Sequence, residues 1–340
     1  MTLHKVAEKA GVSPVTARKA LNNDSSVRHY LRARVLAAAR KLDYNPNLIA
    51  RGLRRGNANL APLTVLGIND YWHGTLSQRL AWKLAGNGLE PMLCYDAAHM
   101  LRVCKSFRAR GCLLASGVER EQVAELARGR RLVTIGSYFP ELAVANLALD
   151  MDTAYRNLTS RLLADGRRRV AVVSNAYLLA LEGGWPASKF PAVLRTLGEV
   201  GLQPAGGNVF RTAAEFGAWL ERGGKKARGR GRLAANPVDA VLCEDDAVAA
   251  RVVGEMANLG MRTPSDALVV GCDAWLMLPG TWSVRLEPDV VAGMAAGLLR
   301  KALETDGSVE SLTYTPGLAT EAFQIEEDFQ RLPRAEKLKT

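Results

Sequence analysis

The chain has 340 residues, 48% of them hydrophobic, and a formal net charge of +11. That length suits two or three domains, and that apolar content supplies a sizeable core and excludes global disorder. The charge is uneven: residues 1–56 hold twelve Lys/Arg against three acids, a net of +9, while the remaining 284 residues hold 33 basic against 31 acidic, a net of +2. A positive excess confined to one segment marks a polyanion partner for that segment.

Residues 2–55 read as three short helices, a proline break and a short basic piece. The first helix covers about Leu3 to Ala10, with Val6 and Ala10 on one face. Gly11-Val12-Ser13 makes a tight turn, Ser13 is placed to cap the next helix, and Pro14 takes its first position. In this second helix Ala17, Ala20 and Leu21 share a small buried stripe. Val15, Arg18, Lys19 and Asn22 fall on the opposite, exposed side. A short helix, a glycine turn and a helix with a charged outer face is the helix-turn-helix plan, whose second helix enters the major groove of DNA. A polar loop from Asn22 to Ser26 follows, and Val27 plugs the small core. A third helix, about Tyr30 to Leu42, aligns Leu31, Val35, Ala38 and Leu42 and turns Arg32, Arg34, Arg40 and Lys41 outward. Tyr44-Asn45-Pro46 ends it, because the residue before proline disfavours the helical region. Asn47 can cap a piece from Leu48 to Arg54 that carries Gly52 and is too short to be stable alone. Its residues by themselves describe a plain linker with one exposed leucine.

Gly56 to Pro62 crosses into the large part of the chain, where strands and helices alternate. Strands are expected at 63–68, 91–95, 112–115, 132–136, 147–150, 170–174, 240–243, 267–271 and 283–286. Helices are expected near 75–87, 97–109, 119–128, 153–165, 188–200, 213–222, 246–259 and 288–304. Such alternation predicts an α/β body of parallel sheets with helices on both faces, binding ligands at the carboxyl ends of the strands. Arg222 to Arg232, with six basic residues among glycines, reads as a surface loop. The five cysteines (94, 104, 112, 243, 272) show no CxxC spacing and fit buried, reduced thiols. No signal-peptide pattern opens the chain and no apolar run reaches membrane-spanning length, so a cytoplasmic protein is expected. HExxH, GxSxG, P-loop and Cys-His pairings are absent, and His4, His29, His73 and His99 form no ligand spacing. The sequence therefore predicts no enzyme, no cofactor and no metal.

VAEKAGVSPVTARKALNN, then VR and LRARVLAAARKLDYNPN, then LIARGLRRG, closely resemble the amino-terminal region of the lactose/purine repressor family of bacterial transcription regulators. The match spans residues 2–56 almost without a gap, and a weaker one continues to about residue 326. The resemblance implies a helix-turn-helix domain at 1–46, a hinge helix at 47–56, a two-lobed core like the periplasmic sugar-binding proteins at 57–330, and a tail at 331–340. Lobe 1 would take about 61–151 and 285–311, and lobe 2 about 152–284 and 312–328. It also implies base reading by Pro14, Val15 and Lys19, with Lys19 donating to guanine and Val15 meeting a thymine methyl. Ser13, Thr16, Asn22 and Arg32 would contact phosphate, and Ala50 and Leu53 of the hinge would enter the minor groove. Arg18 stands where the family has a small Ser, as an extra phosphate anchor or an added base reader. Arg28 and Leu31 replace Ser and Thr, weakening the backbone clamp. Lys5 replaces an acid in the first helical turn, against the helix dipole.

For the body the resemblance implies a small-molecule effector in the cleft between lobes, a homodimer on a pseudo-palindromic operator, and a dimer interface of helices 75–87, 97–109 and 246–259. The tail holds Pro333 and no leucine heptad, so a dimer rather than a tetramer is expected. Asp273, Asp246 (with Glu244 or Asp245 near it) and Asp150 match the family's pocket and inter-lobe aspartates, Asp246 and Asp150 also reading as helix caps. Tyr71, Trp72, Phe190 and Trp275 are candidate aromatic walls. Pro186 and Thr212 stand where relatives place an arginine and an aromatic. That leaves two expectations, an effector-gated DNA-binding regulator, in the family's commoner mode a repressor, or an effector-independent regulator with a vestigial cleft.

Overall fold

The computed structural model describes residues 2–21, 23–44, 59–65, 71–115, 119–137, 139, 141–174, 195–201, 208–227, 237–305 and 310–320. The chain divides into two compact units, one of Met1–Asn59 with Ser106–Arg108 and one of Leu60–Lys105 with Ala109–Thr340.

The head is three helices, α1 (Leu3–Lys9), α2 (Pro14–Leu21) and α3 (His29–Lys41). Thr2 accepts from the Lys5 N–H at the start of α1, and Ser13 Oγ accepts from the Thr16 N–H at 3.1 Å, capping α2 as its sequence position requires. Gly11 adopts φ +57 in the turn between them, a region that only glycine enters without strain. Val6, Ala7, Ala10, Ala17, Ala20, Val27, Val35, Ala38 and Ala39 form the core. Val27 fills the position expected of it, and α3 begins one residue earlier than its apolar stripe implies.

The body holds two six-stranded sheets. Its strands are β1 (Leu60–Val65), β2 (Glu90–Leu93), β3 (Gly111–Ala115), β4 (Arg131–Ile135), β5 (Ala145–Leu149), β6 (Val170–Val173), β7 (Val209–Phe210), β8 (Ala240–Cys243), β9 (Leu268–Cys272), β10 (Trp282–Arg285), β11 (Leu312–Tyr314) and β12 (Gly317–Ala319). The first sheet has the order β11-β5-β4-β3-β1-β2, all parallel. The second has the order β12-β10-β9-β8-β6-β7, parallel except for β12 against β10. Strands covered on both faces read as unbroken apolar runs, and β3, β6, β8 and β9 are buried at every residue.

The helices that cover them are α4 (Tyr71–Gly86), α5 (Ala97–Phe107), α6 (Arg120–Ala127), α7 (Met151–Ala164), α8 (Ala213–Ala227), α9 (Asp246–Asn258) and α10 (Pro288–Glu304). In α10, Val291, Ala292, Ala295, Ala296, Leu298 and Leu299 make a buried stripe with small residues that allow close packing, and it joins Leu76, Leu80 and Leu84 of α4 in one cluster. Phe210, Phe216, Val252 and Met256 anchor a second cluster on the other sheet.

Two expectations change. The last crossing between sheets falls after Tyr314, because β11 pairs with β5 in the first sheet and only β12 joins the second, rather than near 311. α8 runs on through Ala227, five residues past its expected end at 222 and into the stretch read as a loop. Packing of Phe216 and Leu220 in the preceding turns outweighs the glycine penalty of about 1 kcal/mol per residue. The hinge, most of the helix expected at 188–200, and the tail lie outside the described residues.

Candidate functional site

The sequence of α2 divides its surface cleanly. Ala17 and Ala20 are buried, while Val15 is 60% exposed and Arg18 and Lys19 stand beside it in solvent. At about 100° per residue, Pro14, Val15, Arg18 and Lys19 occupy one arc of the helix, opposite the two alanines. An exposed valine between two cations has no packing role in the head. It suits a surface that meets apolar base edges and anionic phosphate together. Lys19 Nζ lies 3.3 Å from Ser26 Oγ, so the side chain reaches along the outer face toward the following loop. Ser13 and Thr16 face each other through their hydroxyls at 2.9 Å, leaving both oxygens at the amino end of α2, where backbone N–H groups favour a phosphate.

Arg32 is placed differently from the sequence reading. Its Nη2 donates to the Asp24 carbonyl at 2.7 Å and to the Val27 carbonyl at 3.4 Å, and its Nε is buried without a partner. The guanidinium is directed into the loop rather than outward, because two loop carbonyls near α3 require donors. Arg34, also read as an outward charge, donates from Nη2 to the Ala10 carbonyl at 2.7 Å. Arg28 takes the amino-terminal cap position of α3 with no side-chain capping bond. Asn22, Ala50 and Leu53 lie outside the described residues.

The second candidate region joins the carboxyl ends of both sheets. Tyr71 opens α4 after β1, and Trp275 follows β9; their rings stack with centroids 4.8 Å apart and planes 17° from parallel. Trp275 is held by a buried carboxylate. Asp246, 1% exposed, accepts from the Trp275 N–H at 2.7 Å and the Leu276 N–H at 3.0 Å through Oδ2, while Ser283 Oγ donates to its Oδ1 at 2.7 Å. The same Ser283 oxygen accepts from the Ala274 N–H at 2.9 Å. Asp273 and Ala274 turn through φ values of +89 and +55 to bring the tryptophan round. Burial pushes the Asp246 carboxyl above the usual aspartate range, against the opposing pull of Ser283 and the two backbone N–H groups. A Cβ on Gly271 would stand 2.2 Å from Asp246 Oδ1, so the glycine in β9 makes room for the carboxylate.

Of the expected aspartates, Asp246 departs from the work read for it and Asp150 keeps to it. Asp246 is neither a cap nor an open acceptor; it buttresses the Trp275 loop. The cap of α9 is Asp245, whose Oδ1 accepts from the Val248 N–H at 2.7 Å. Asp150 caps α7 through the Thr153 N–H at 3.0 Å, in keeping with its capping reading. Thr212 caps α8 through the Glu215 N–H, which explains a threonine there, and Glu215 accepts from the N–H of Arg211, the residue before the cap. Trp72 is corrected too: at 6% exposed it belongs to the hydrophobic core, not to an open wall. Phe190 and Pro186 lie outside the described residues. Among the described residues, all five cysteines are buried and free, no group of three His, Cys, Asp or Glu could hold a metal ion, and no helix is long and apolar enough to cross a membrane.

Residues 2–47 match the sequence profile of bacterial regulatory proteins of the lacI family, and residues 159–320 match that of the periplasmic binding protein-like domain. The HTH-type transcriptional repressor CytR of Escherichia coli (strain K12) is 25% identical over 282 residues, 80% of this chain and 80% of that one. The transcriptional regulator CelR–cellobiose complex shares the fold at TM-score 0.61 and 22% identity, over 95% of this chain and 99% of that one. The lac repressor dimer bound to operator and the anti-inducer ONPF does so at TM-score 0.72 and 15% identity, over 95% and 98%. A helix-turn-helix head on a two-sheet body of this kind defines a DNA-binding transcription regulator. The head thus matches the lacI family of bacterial regulatory proteins, and the chain is similar over most of its length to regulators such as CytR.

Proposed function

We propose that the chain is a cytoplasmic repressor, without enzymatic activity, that binds a pseudo-palindromic operator as a homodimer and whose affinity for it changes when a small molecule enters the cleft. The observation that carries this is the outer face of α2, where Val15, Arg18 and Lys19 stand exposed on a segment holding +9 of the chain's +11 charge. A single module of this size makes too few contacts for operator affinity, so two related by a dyad are required. Lys19 and Arg18 carry hydrogen-bonding readout, since Pro14 and Val15 bear no side-chain donor. The hinge at 47–56, with Ala50 and Leu53, enters the minor groove. The solved relatives bound to cellobiose or to an anti-inducer support a cleft ligand by analogy of fold.

Selection of bound duplexes from a random pool tests the DNA half: an enriched sequence with two-fold symmetry is expected, and a pool that never enriches contradicts it. A thermal-shift panel of sugars, nucleosides and organic acids tests the effector half, because a ligand that binds only the folded state raises the melting temperature. A second reading, an effector-independent regulator, is favoured by the Tyr71–Trp275 stack, in which the two rings meet each other face to face. A panel without response selects it.

A further inference from the structure

We infer that Arg32 and Arg34 are positioning residues for the recognition helix α2, clamping it at both ends from α3, and are not ligands of DNA phosphate.

The need for a clamp follows from what α2 buries. Its fully buried side chains are Ala17 and Ala20, two methyl groups that do little to resist a slide or a roll against α1 and α3, with the half-buried Leu21 packed on the core at its last turn alone. Orientation matters here more than burial, because base-edge hydrogen bonds fail when the donors move by a fraction of a bond length. The ends of α2 supply the missing constraint. Before it, the Ala10 carbonyl closes α1 and accepts from Arg34 Nη2 at 2.7 Å. The guanidinium sits so close to the turn that a Cβ on Gly11 would be 2.7 Å from Arg34 Nη2. After it, the carbonyls of Asp24 and Val27 accept from Arg32 Nη2 at 2.7 and 3.4 Å. Asp24 is itself folded onto the loop, its Oδ1 accepting from the Ser26 N–H at 2.9 Å.

The two arginines are two residues apart on α3, hence about 200° around its axis. They flank the stripe of Leu31, Val35 and Ala38 on opposite sides, so one helix reaches both ends of its neighbour at once. A guanidinium suits this task because it offers several donors from one rigid plane; an ammonium is a compact point charge on a flexible stem.

The test uses the full chain and the variants Arg32→Lys, Arg34→Lys, Arg32→Ala and Arg34→Ala, with Arg18→Ala for comparison. Two quantities are read: the slope of log affinity against log salt on long random duplex, and the affinity ratio between the duplex selected by the wild type and random duplex. Positioning predicts that all four variants keep the wild-type salt slope while the ratio falls, roughly tenfold, the scale of one lost base contact per site. The lysine variants are decisive, since they retain charge but lose the fork, and they decide alone if an alanine variant melts below the assay temperature. Phosphate ligation predicts the reverse. Lysine variants would then keep the wild-type ratio, and each alanine variant would lose slope of about 0.9 per phosphate contact removed. That result would overturn the inference.

Discussion

The head and the body solve opposite problems with the same kinds of residue. In the head, the groups that meet a partner are exposed, and the groups that hold them are small alanines and two arginines bonded to backbone carbonyls. In the body, the presented aromatic is half-buried and its support is a charge taken out of water, Asp246, with its three donors inside the second lobe. An exposed polyanion-binding face needs little cohesion and much charge. A loop at the end of a buried sheet needs every polar group satisfied, because an unmet donor there costs the full desolvation of that group. Charge is thus a contact device in one region and a construction device in the other.

Removing Asp246 should break that contrast most visibly. Asp246→Ala strands two backbone N–H groups and one hydroxyl, at about 1 kcal/mol or more each, so a loss of about 3 kcal/mol is expected. Denaturant melting followed by far-ultraviolet circular dichroism should show it, while affinity for random duplex below the melting temperature stays as in the wild type.

Lys19→Ala is the counterpart in the head. It should relax preference at one base pair per half-site and cost about 1–3 kcal/mol per contact, with no change in melting. Competition binding against duplexes varied one position at a time reads this out. Uniform weakening on all sequences would instead make Lys19 a phosphate contact.

Tyr71→Ala removes the ring that covers Trp275, and a stacked aromatic pair contributes about 0.5–1.5 kcal/mol beyond its area. A small drop in melting temperature and a red shift in tryptophan emission are expected. No shift in emission would mean that the stack is not held in solution.

The smallest effect is on pH. The folded-state pKa of Asp246 is raised, so the residue favours folding fully below 3.8, its ordinary value, and that contribution is lost as pH rises through the raised value. The stability of wild type relative to Asp246→Asn should therefore decline over that window, by comparison of denaturant midpoints.

Legibility in the sequence followed the same division. The buried run Ala240–Cys243 is legible in the sequence to its ends and the other apolar strands to within one to three residues, whereas Val209–Phe210, Leu312–Tyr314 and Gly317–Ala319 are two or three residues long and carry no period. The outer face of α2 was readable because helical spacing alone separates Val15, Arg18 and Lys19 from Ala17 and Ala20. The inward turn of Arg32 is not legible in the sequence because its partners are loop carbonyls, and a carbonyl's direction is not a property of residue type. Arg34 had one sequence signal, the required glycine at position 11 in the turn it touches. The role of Asp246 was hidden for the same reason: its partners at 275 and 276 are backbone N–H groups about thirty residues downstream, brought near by adjacent strands β8 and β9. Side chains that serve backbone are the ones a pattern of residue types does not reveal.

On the proposed reading a cationic head grips duplex phosphate and the near-neutral body does not. The direct measurement is affinity of the intact chain for long random-sequence duplex across a salt series. Counterion release predicts a straight, steep fall of log affinity with log salt, at about 0.9 per phosphate neutralised. A flat line, or no binding at the lowest ionic strength, would contradict the account.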